Sequence, residues 1–324
     1  MREAAENSAA PLSPRLPGPA RQTLGVRACV IFNPAARGDK ARELRARLDV
    51  IAAECELKRT AAAGDARRLA AGAIAEGFEL IIAAGGDGTL NEVLNGMGDM
   101  PDGFVRACLG VLPLGTVNVF ARELKVPLQL DAAWETIRNG RETRVDLAYA
   151  QFSANGRPER RYFAQLAGAG LDARAIELVS WPLKKKIGPL AYVVAGLKAL
   201  SEKRSTITAS NRQHHLTGEL ILIGNGRLYG GDYEILEGAD LRDGCLHVCA
   251  FPRVGWWTLL RCAVPLLLWG RLPEGAVRRF RGTEFTLTSE TPTAFELDGE
   301  LVGRLPASFA IKPQALRVRT PGGI

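Results

Sequence analysis

Three times in its first 125 residues the chain runs an apolar, strand-like segment into a loop and then into a helical pattern. That order constrains the fold more than any single residue. Arg27 to Phe32 ends at Asn33-Pro34, ahead of a helical stretch from Asp39 to Ala53. Glu79 to Ala84 runs into GGDGT and the helical pattern of Glu92 to Met97, and Ala107 to Leu112 runs into PLGT and that of Val119 to Lys125. A further strand, Glu56 to Arg59, precedes Thr60. Strands alternating with helices at this spacing predict a parallel sheet with helices on both faces. The segments Gly88-Thr89-Leu90-Asn91 and Gly115-Thr116-Val117-Asn118 end 27 residues apart. That is about one βαβ unit, so both loops are expected to open on one edge of the sheet.

From about Arg141 the texture becomes alternating and β-like, through Thr143 to Phe152, Tyr162 to Leu166, Ser205 to Ala209, Glu219 to Ile223, Cys245 to Phe251, Glu284 to Thr288 and Leu316 to Thr320. The expected organisation is α/β: a parallel-sheet domain over 24–140 and a β-rich domain over 141–324, divided at the polar turn Asn139-Gly140. Residues 1–23, rich in Ala and Pro, read as a disordered leader without the apolar core of a secretory signal.

With 47% hydrophobic and 24% charged residues the chain is an ordinary soluble mixture. Its formal net charge of +7 suits an anionic partner, whether nucleic acid, phosphate or a membrane surface. No recognition module or aromatic-interleaved basic strip supports nucleic acid. Six cysteines without a C-x-x-C pair argue against a disulfide framework or zinc ribbon and suit a reducing compartment. Cys245, His247 and Cys249 alternate along one strand face, but they offer three soft ligands and no fourth, so packing accounts for them. Val254 to Gly270 is the most apolar segment, yet Arg261 and Pro265 interrupt it. A span needs roughly 20 apolar residues, so the segment reads as a buried or interfacial helix, with a core helix as the plain expectation.

Ligands of open parallel sheets bind beyond the carboxyl ends of the strands, at helix N-termini whose free N–H groups favour anions. Gly85, Gly86 and Gly88 let backbone approach a phosphate, and Thr89 and Thr116 can add hydroxyl donors. Asp87 is the unusual member, because a carboxylate beside phosphates needs a cation or a transferable proton between them. A P-loop, a Rossmann G-x-G-x-x-G and a hydrolase G-x-S-x-G are all missing from the sequence.

Gly85 to Gly96 (GGDGTLNEVLNG) followed by Pro113 to Arg122 (PLGTVNVFAR) resembles the catalytic domain of the diacylglycerol kinase and sphingosine kinase family, in its soluble bacterial branch. NAD kinases and phosphofructokinases share a GGDG-type loop, but the extension through Asn91-Glu92 and Asn95-Gly96 is characteristic of the lipid kinases. Asn33-Pro34, Ile223-Gly224-Asn225, Gly230-Gly231, Leu241 to Leu246 and Asp298-Gly299-Glu300 extend the match from about Leu24 onward. The resemblance implies an NAD kinase-like nucleotide domain, a C-terminal β-sandwich, and a final segment that returns toward the first domain. Carried over by motif, ATP should contact Asn33, Thr60, Thr116 and the run Gly85, Gly86, Asp87, Gly88, Thr89, Leu90 and Asn91, with Asp87 helping to position magnesium and phosphate. Glu300 aligns with the general base that takes the proton of the acceptor hydroxyl. Asp240, Asp243 and the carbonyl of Cys245 match a structural magnesium site. Many bacterial members carry Asp after the second-loop Asn, in a network with Asp87 and the residue matching Arg122. Here Val119 follows Asn118, which leaves that network and the acceptor open.

The implied activity is ATP-dependent phosphorylation of a lipid hydroxyl, on diacylglycerol or a sphingoid base, by a cytoplasmic enzyme peripherally associated with the membrane. Trp181 to Lys186 (WPLKKK) sets an interfacial aromatic beside a basic cluster suited to anionic phospholipid, and Trp256, Trp257 and Trp269 offer a second contact. The oligomeric state is open, with a homodimer as the candidate. A kinase of a soluble nucleotide or sugar, and a nucleotide-gated lipid-binding protein without catalysis, are the competing readings.

Overall fold

The computed structural model describes residues 24–178 apart from 35 and 37, and residues 196–322 apart from 197, 203 and 274. The expected leader and the Trp181 to Lys186 cluster lie outside the described residues.

The first half alternates strand and helix: β1 (Ala28–Phe32), α1 (Asp39–Ala52), β2 (Glu56–Arg59), α2 (Asp65–Ala75), β3 (Leu80–Gly85), α3 (Asp87–Asp99), the short α4 (Gly103–Arg106), β4 (Cys108–Pro113), α5 (Val119–Glu123) and α6 (Leu130–Asn139). The strands lie parallel in the order β2-β1-β3-β4. Every residue of β1 and β4 is buried, as strands covered on both faces require. Helix α2 buries Ala66, Ala70, Ala73 and Ile74, an i, i+4, i+7, i+8 stripe that lays it on the sheet.

The second half is antiparallel: β5 (Arg141–Ala154), β6 (Arg157–Phe163), β7 (Leu166–Gly170), α7 (Leu171–Leu178), β8 (Ile207–Ser210), β9 (His215–Gly218), β10 (Leu220–Gly224), β11 (Leu228–Tyr229), β12 (Tyr233–Glu234), β13 (Leu246–Phe251), α8 (Trp256–Trp269), β14 (Arg278–Gly282), β15 (Glu284–Ser289), β16 (Ala294–Leu297), β17 (Glu300–Arg304) and β18 (Ala307–Thr320). A six-stranded sheet in the order β14-β13-β10-β7-β16-β17 faces the antiparallel strands of the larger sheet. Phe163, Phe285, Phe295 and Phe309 fill the space between them with edge and stacked ring contacts. The long strand β18 pairs with β15 and β5 and then, beyond a register shift between Lys312 and Leu316, lies parallel to β4. A single ten-stranded sheet therefore runs through both halves.

Three elements differ from the sequence reading for identifiable reasons. Helix α3 starts at Asp87, five residues before the expected Glu92, because Gly86 is extended and ends the strand, and Asp87 brings negative charge to the first turn. The expected strand Tyr162 to Leu166 is broken, because the N–H groups of Ala164, Gln165 and Leu166 donate to the Asp298 carboxylate. The apolar segment is a helix, as expected, but it is not a core helix. In α8 only Cys262 is buried, while Trp256, Trp257, Leu260, Leu267, Leu268 and Trp269 face outward.

Candidate active site

The carboxyl ends of the four parallel strands gather the predicted nucleotide contacts on one edge. Asn33 follows β1, and the Thr60 N–H beyond β2 donates to the Phe32 carbonyl at 2.9 Å. Gly85 of β3 lies opposite Pro113 of β4, so the two glycine loops emerge side by side. They touch: a Cβ on Gly115 would stand 2.5 Å from the Gly86 Cα, so a side chain at Gly115 would force the loops apart.

The second loop is closed on itself by Asn118, in the left-handed conformation with φ 55. Its side chain accepts from the Gly115 N–H at 2.9 Å and donates to the Gly115 carbonyl at 2.7 Å. Asp87 locks the loops together by accepting the backbone N–H groups of Val119, Phe120 and Asn118 at the start of α5. Burial, and then the negative charge of Asp298, raise its proton affinity against those hydrogen bonds. Since Val119 meets Asp87 through its backbone, the departure from the family's Asp leaves this lock in place.

The run from Gly85 to Gly96 divides into half-buried positions at the start of α3 and positions packed into the protein. Gly86 and Gly88 are half-buried at the start of α3, and Thr116 in the neighbouring loop is exposed. Thr89 turns its hydroxyl back under Gly85, where a Cβ would stand 2.4 Å from it. Leu90 is buried in the first core. Asn91 is buried too, and its amide donates to Asp298 Oδ2 at 2.9 Å and to the Tyr162 carbonyl at 3.2 Å. Asn91 therefore joins the two halves and is turned away from the cleft.

Sequence reasoning missed most of that joint. Asn95, 1% exposed, accepts from the Tyr162 N–H and donates to its carbonyl, both at 2.9 Å. Glu92 caps α2, accepting from the N–H groups of Gly64 at 2.8 Å and Ala66 at 2.9 Å. Gly96 lets α3 approach α2, since a Cβ there would stand 2.1 Å from the Arg67 carbonyl oxygen. The i, i+4 spacing of Asn91 and Asn95 marks one helix face, but no sequence rule names a strand edge as its partner.

Glu300 comes to the same place from the other half of the chain. It opens β17, and its Oε1 lies 2.8 Å from the position a Cβ on Gly88 would take. Its carboxyl therefore stands against the first turn of α3. Partial burial, and then the charges of Glu92 and Asp298, push its proton affinity up, with Arg161 opposing. Asp298, at φ 49, holds the turn that presents it, accepting from Ala164 at 2.8 Å and from Gln165 and Leu166 at 3.0 Å.

Behind this turn sits a second acid pair. Tyr229 donates its hydroxyl to Asp172 Oδ1 at 2.8 Å, and Glu296 Oε2 accepts the Gly299 N–H at 2.6 Å. The remaining oxygens, Asp172 Oδ2 and Glu296 Oε1, both lie over Gly168, where a Cβ would stand 2.3 and 2.7 Å from them. Two carboxylates facing one another, Glu296 buried and Asp172 largely so, favour a proton between them, and desolvation raises the proton affinity of both, that of Glu296 well above its ordinary value.

Arg122 does not reach Asp87 in any described hydrogen bond. It donates from Nε to the Val117 carbonyl at 2.8 Å and pairs through Nη1 with Asp232, between β11 and β12. The carboxylates assigned to structural magnesium are occupied from within the protein. Asp240 accepts from the Arg242 N–H at 2.9 Å, and Asp243 accepts from the Cys245 N–H at 2.9 Å and meets His247 Nε2 at 2.7 Å. Asp146 beside them accepts from Gly244 and Gln314, both at 2.7 Å. Among the described residues no three His, Cys, Asp or Glu side chains converge on a metal position.

Comparison with known proteins agrees with this geometry over nearly the whole chain. Residues 27–150 match the model of the diacylglycerol kinase catalytic domain, and residues 165–320 that of the YegS C-terminal NAD kinase beta sandwich-like domain. A diacylglycerol kinase of Staphylococcus aureus (strain MRSA252) is 30% identical over 305 residues, covering 92% of this chain and 93% of its own. One of Staphylococcus saprophyticus is 29% identical over 305 residues, covering 92% and 96%. The crystal structure of a diacylglycerol kinase from Bacillus anthracis str. Sterne shares the fold, with a TM-score of 0.70 at 23% identity over 91% of this chain and 96% of that one. The chain belongs to the diacylglycerol kinase family and is a phosphotransferase that uses an alcohol group as acceptor.

Proposed function

We propose that this kinase transfers the γ-phosphate of ATP to the hydroxyl of a membrane lipid, diacylglycerol or a sphingoid base. The observation that carries this reading is the position of Glu300 against Gly88, which sets a carboxylate at the phosphate-facing turn of α3. Backbone N–H groups of Gly86 to Thr89 at the start of α3 would receive the phosphates, where the helix dipole favours negative charge. Thr116, Asn33 and Thr60 line the same edge and would complete the nucleotide contacts. Magnesium bound with the nucleotide phosphates, beside Asp87, would supply charge neutralisation for the transferring phosphoryl group.

Glu300 takes the proton from the lipid hydroxyl as that oxygen attacks the γ-phosphorus, while the bond to the β–γ bridging oxygen breaks and ADP leaves. Its raised proton affinity suits a base that must hold a proton once the bond has formed. Asp87 acts as a positioning residue: its oxygens are engaged by the second loop, so it orders the phosphate-binding backbone. The acceptor is expected at a membrane surface, which makes the enzyme a peripheral one.

The test is transfer of labelled γ-phosphate to extracted lipids, with mass spectrometry of the product. Glu300→Gln should lower transfer by about 10² to 10⁴ while nucleotide binding persists. Transfer that survives both Glu300→Gln and Asp87→Ala would overturn the mechanism.

A further inference from the structure

The outer face of α8 has no partner among the described residues and is apolar where a soluble helix is polar. Leu259, Cys262 and Leu266 pack on the third core cluster. On the opposite side, at 100° per residue, Trp256, Leu267, Leu260, Val264, Trp257 and Leu268 fall within an arc of about 120°. All six are exposed, Trp257 by 83% and Leu267 by 71%. An exposed apolar patch of this kind marks an interaction surface.

Charge identifies what covers it. Arg253, Arg261 and Arg271 precede, interrupt and follow the helix and are exposed, and exposed Arg279 is the cross-strand partner of Cys249, which shares the third core cluster with Cys262. Between Arg253 and Arg281 the sequence holds one acid, Glu274. Two tryptophans at the start of an apolar stripe, with arginines on both flanks of the helix, match the interfacial layer of an anionic bilayer: rings sit at headgroup level and guanidinium groups meet phosphate. At 14 residues the helix is about 21 Å long, shorter than the roughly 30 Å hydrocarbon layer. No described helix is long and apolar enough to cross a membrane. Such a helix lies in the membrane plane.

The helix is also tied to the hairpin that contacts Arg122 and Asp172. The Gly270 carbonyl at its end accepts the Glu234 N–H at 2.7 Å. Glu234 belongs to the β11–β12 hairpin, whose Asp232 pairs with Arg122 and whose Tyr229 bonds Asp172. We propose that α8 is a docking helix that lays its Trp- and Leu-rich face into an anionic lipid surface, holding the cleft beside the bilayer. This rests on the lipid-kinase reading only for its purpose, since the docking itself can be measured without turnover.

The experiment is sedimentation of the full chain with vesicles of phosphatidylcholine alone or with one quarter phosphatidylglycerol, at physiological salt. The wild type should pellet with the anionic vesicles and show tryptophan quenching by brominated acyl chains, a readout that needs no variant. Leu260→Glu/Leu267→Glu/Leu268→Glu should lower partitioning at least about 100-fold. Arg253→Gln/Arg271→Gln should lower it about fivefold per arginine and weaken the anionic preference. Both variants exchange only exposed side chains, and their thermal melts should match the wild type. Wild type left in the supernatant, or a triple variant that pellets like wild type, overturns the proposal. So does a wild-type dimer that the triple variant converts to monomer with no vesicle binding by either, which would make the face a contact between two copies. Phosphorylation of a water-soluble short-chain diacylglycerol separates the two readings. It should persist within about twofold in the triple variant, whereas vesicle binding without turnover of any lipid by wild type would sink the kinase reading and leave docking standing.

Discussion

The Asp298 carboxylate accepts a hydrogen bond from the Asn91 side-chain amide at 2.9 Å, joining the turn that carries Glu300 to the helix that begins with Asp87. The same carboxylate organises the break between β6 and β7. One acidic residue thus fixes three segments on which the proposed chemistry depends, and its own burial explains why its proton affinity is raised despite four donors.

Replacing the proposed base tests the chemistry directly. Glu300→Gln keeps the shape and removes the proton acceptor, so kcat should fall by about 10² to 10⁴ with ATP affinity unchanged. Steady-state kinetics beside nucleotide titration distinguishes this from damage to the binding loop, which would weaken ATP binding as well.

Two glycines should respond differently to alanine. In Gly115→Ala the new Cβ meets backbone, 2.5 Å from the Gly86 Cα, and the loss should be about 1–3 kcal/mol of stability together with ATP binding. In Gly88→Ala it meets the movable end of Glu300 at 2.8 Å. Stability should then change by less than about 1 kcal/mol, while displacement of the base lowers kcat at least about tenfold. Urea melts and turnover measured on the two variants decide the point.

The joint between the halves rests on Asn95. Asn95→Leu leaves the Tyr162 N–H without its acceptor and removes a donor from its carbonyl. The cost should be about 2–4 kcal/mol, read from the urea midpoint. Asn95→Asp restores the acceptor only and should recover part of it.

Stability should also depend on pH through the acid pair behind the turn. The folded protein raises the proton affinity of Glu296 well above its ordinary 4.5, chiefly by burial and by the facing Asp172. The folded state therefore binds a proton that the unfolded state releases. The contribution is intact below about pH 4.5 and is lost as pH rises from there through the raised value. Glu296→Gln cannot titrate, so the stability of wild type relative to this variant should decline with increasing pH in that window. A difference that stays flat, or rises, would remove the shared proton from this account.

Much of the first domain could be read from the chain because its signals are local. Apolar runs such as Leu80–Gly85 and Cys108–Pro113 are buried on both faces, and glycine marks the turns where no side chain fits. The family and its phosphoryl-transfer chemistry followed from GGDGTLNEVLNG for the same reason, since that motif is contiguous. The second domain was less legible: β9, β11, β12, β14, β16 and β17 are two to five residues long, and strands that short carry little periodicity.

The amino-acid sequence by itself determined the alternating sheet, the two adjacent glycine loops and the kinase motif, because each depends on neighbours within about 30 residues. Tertiary structure decided which side chains face the cleft. Asn91 and Leu90 turn inward, Arg122 pairs across to Asp232, and Glu300 arrives beside Gly88 only because β16, β17 and β18 return to pack against the first half. It also decided that the most apolar helix faces outward. The physical reason is the same in each case: burial and hydrogen-bond partners are set by segments some 100 to 200 residues away in the chain, and spacing along a sequence does not encode which of them meet.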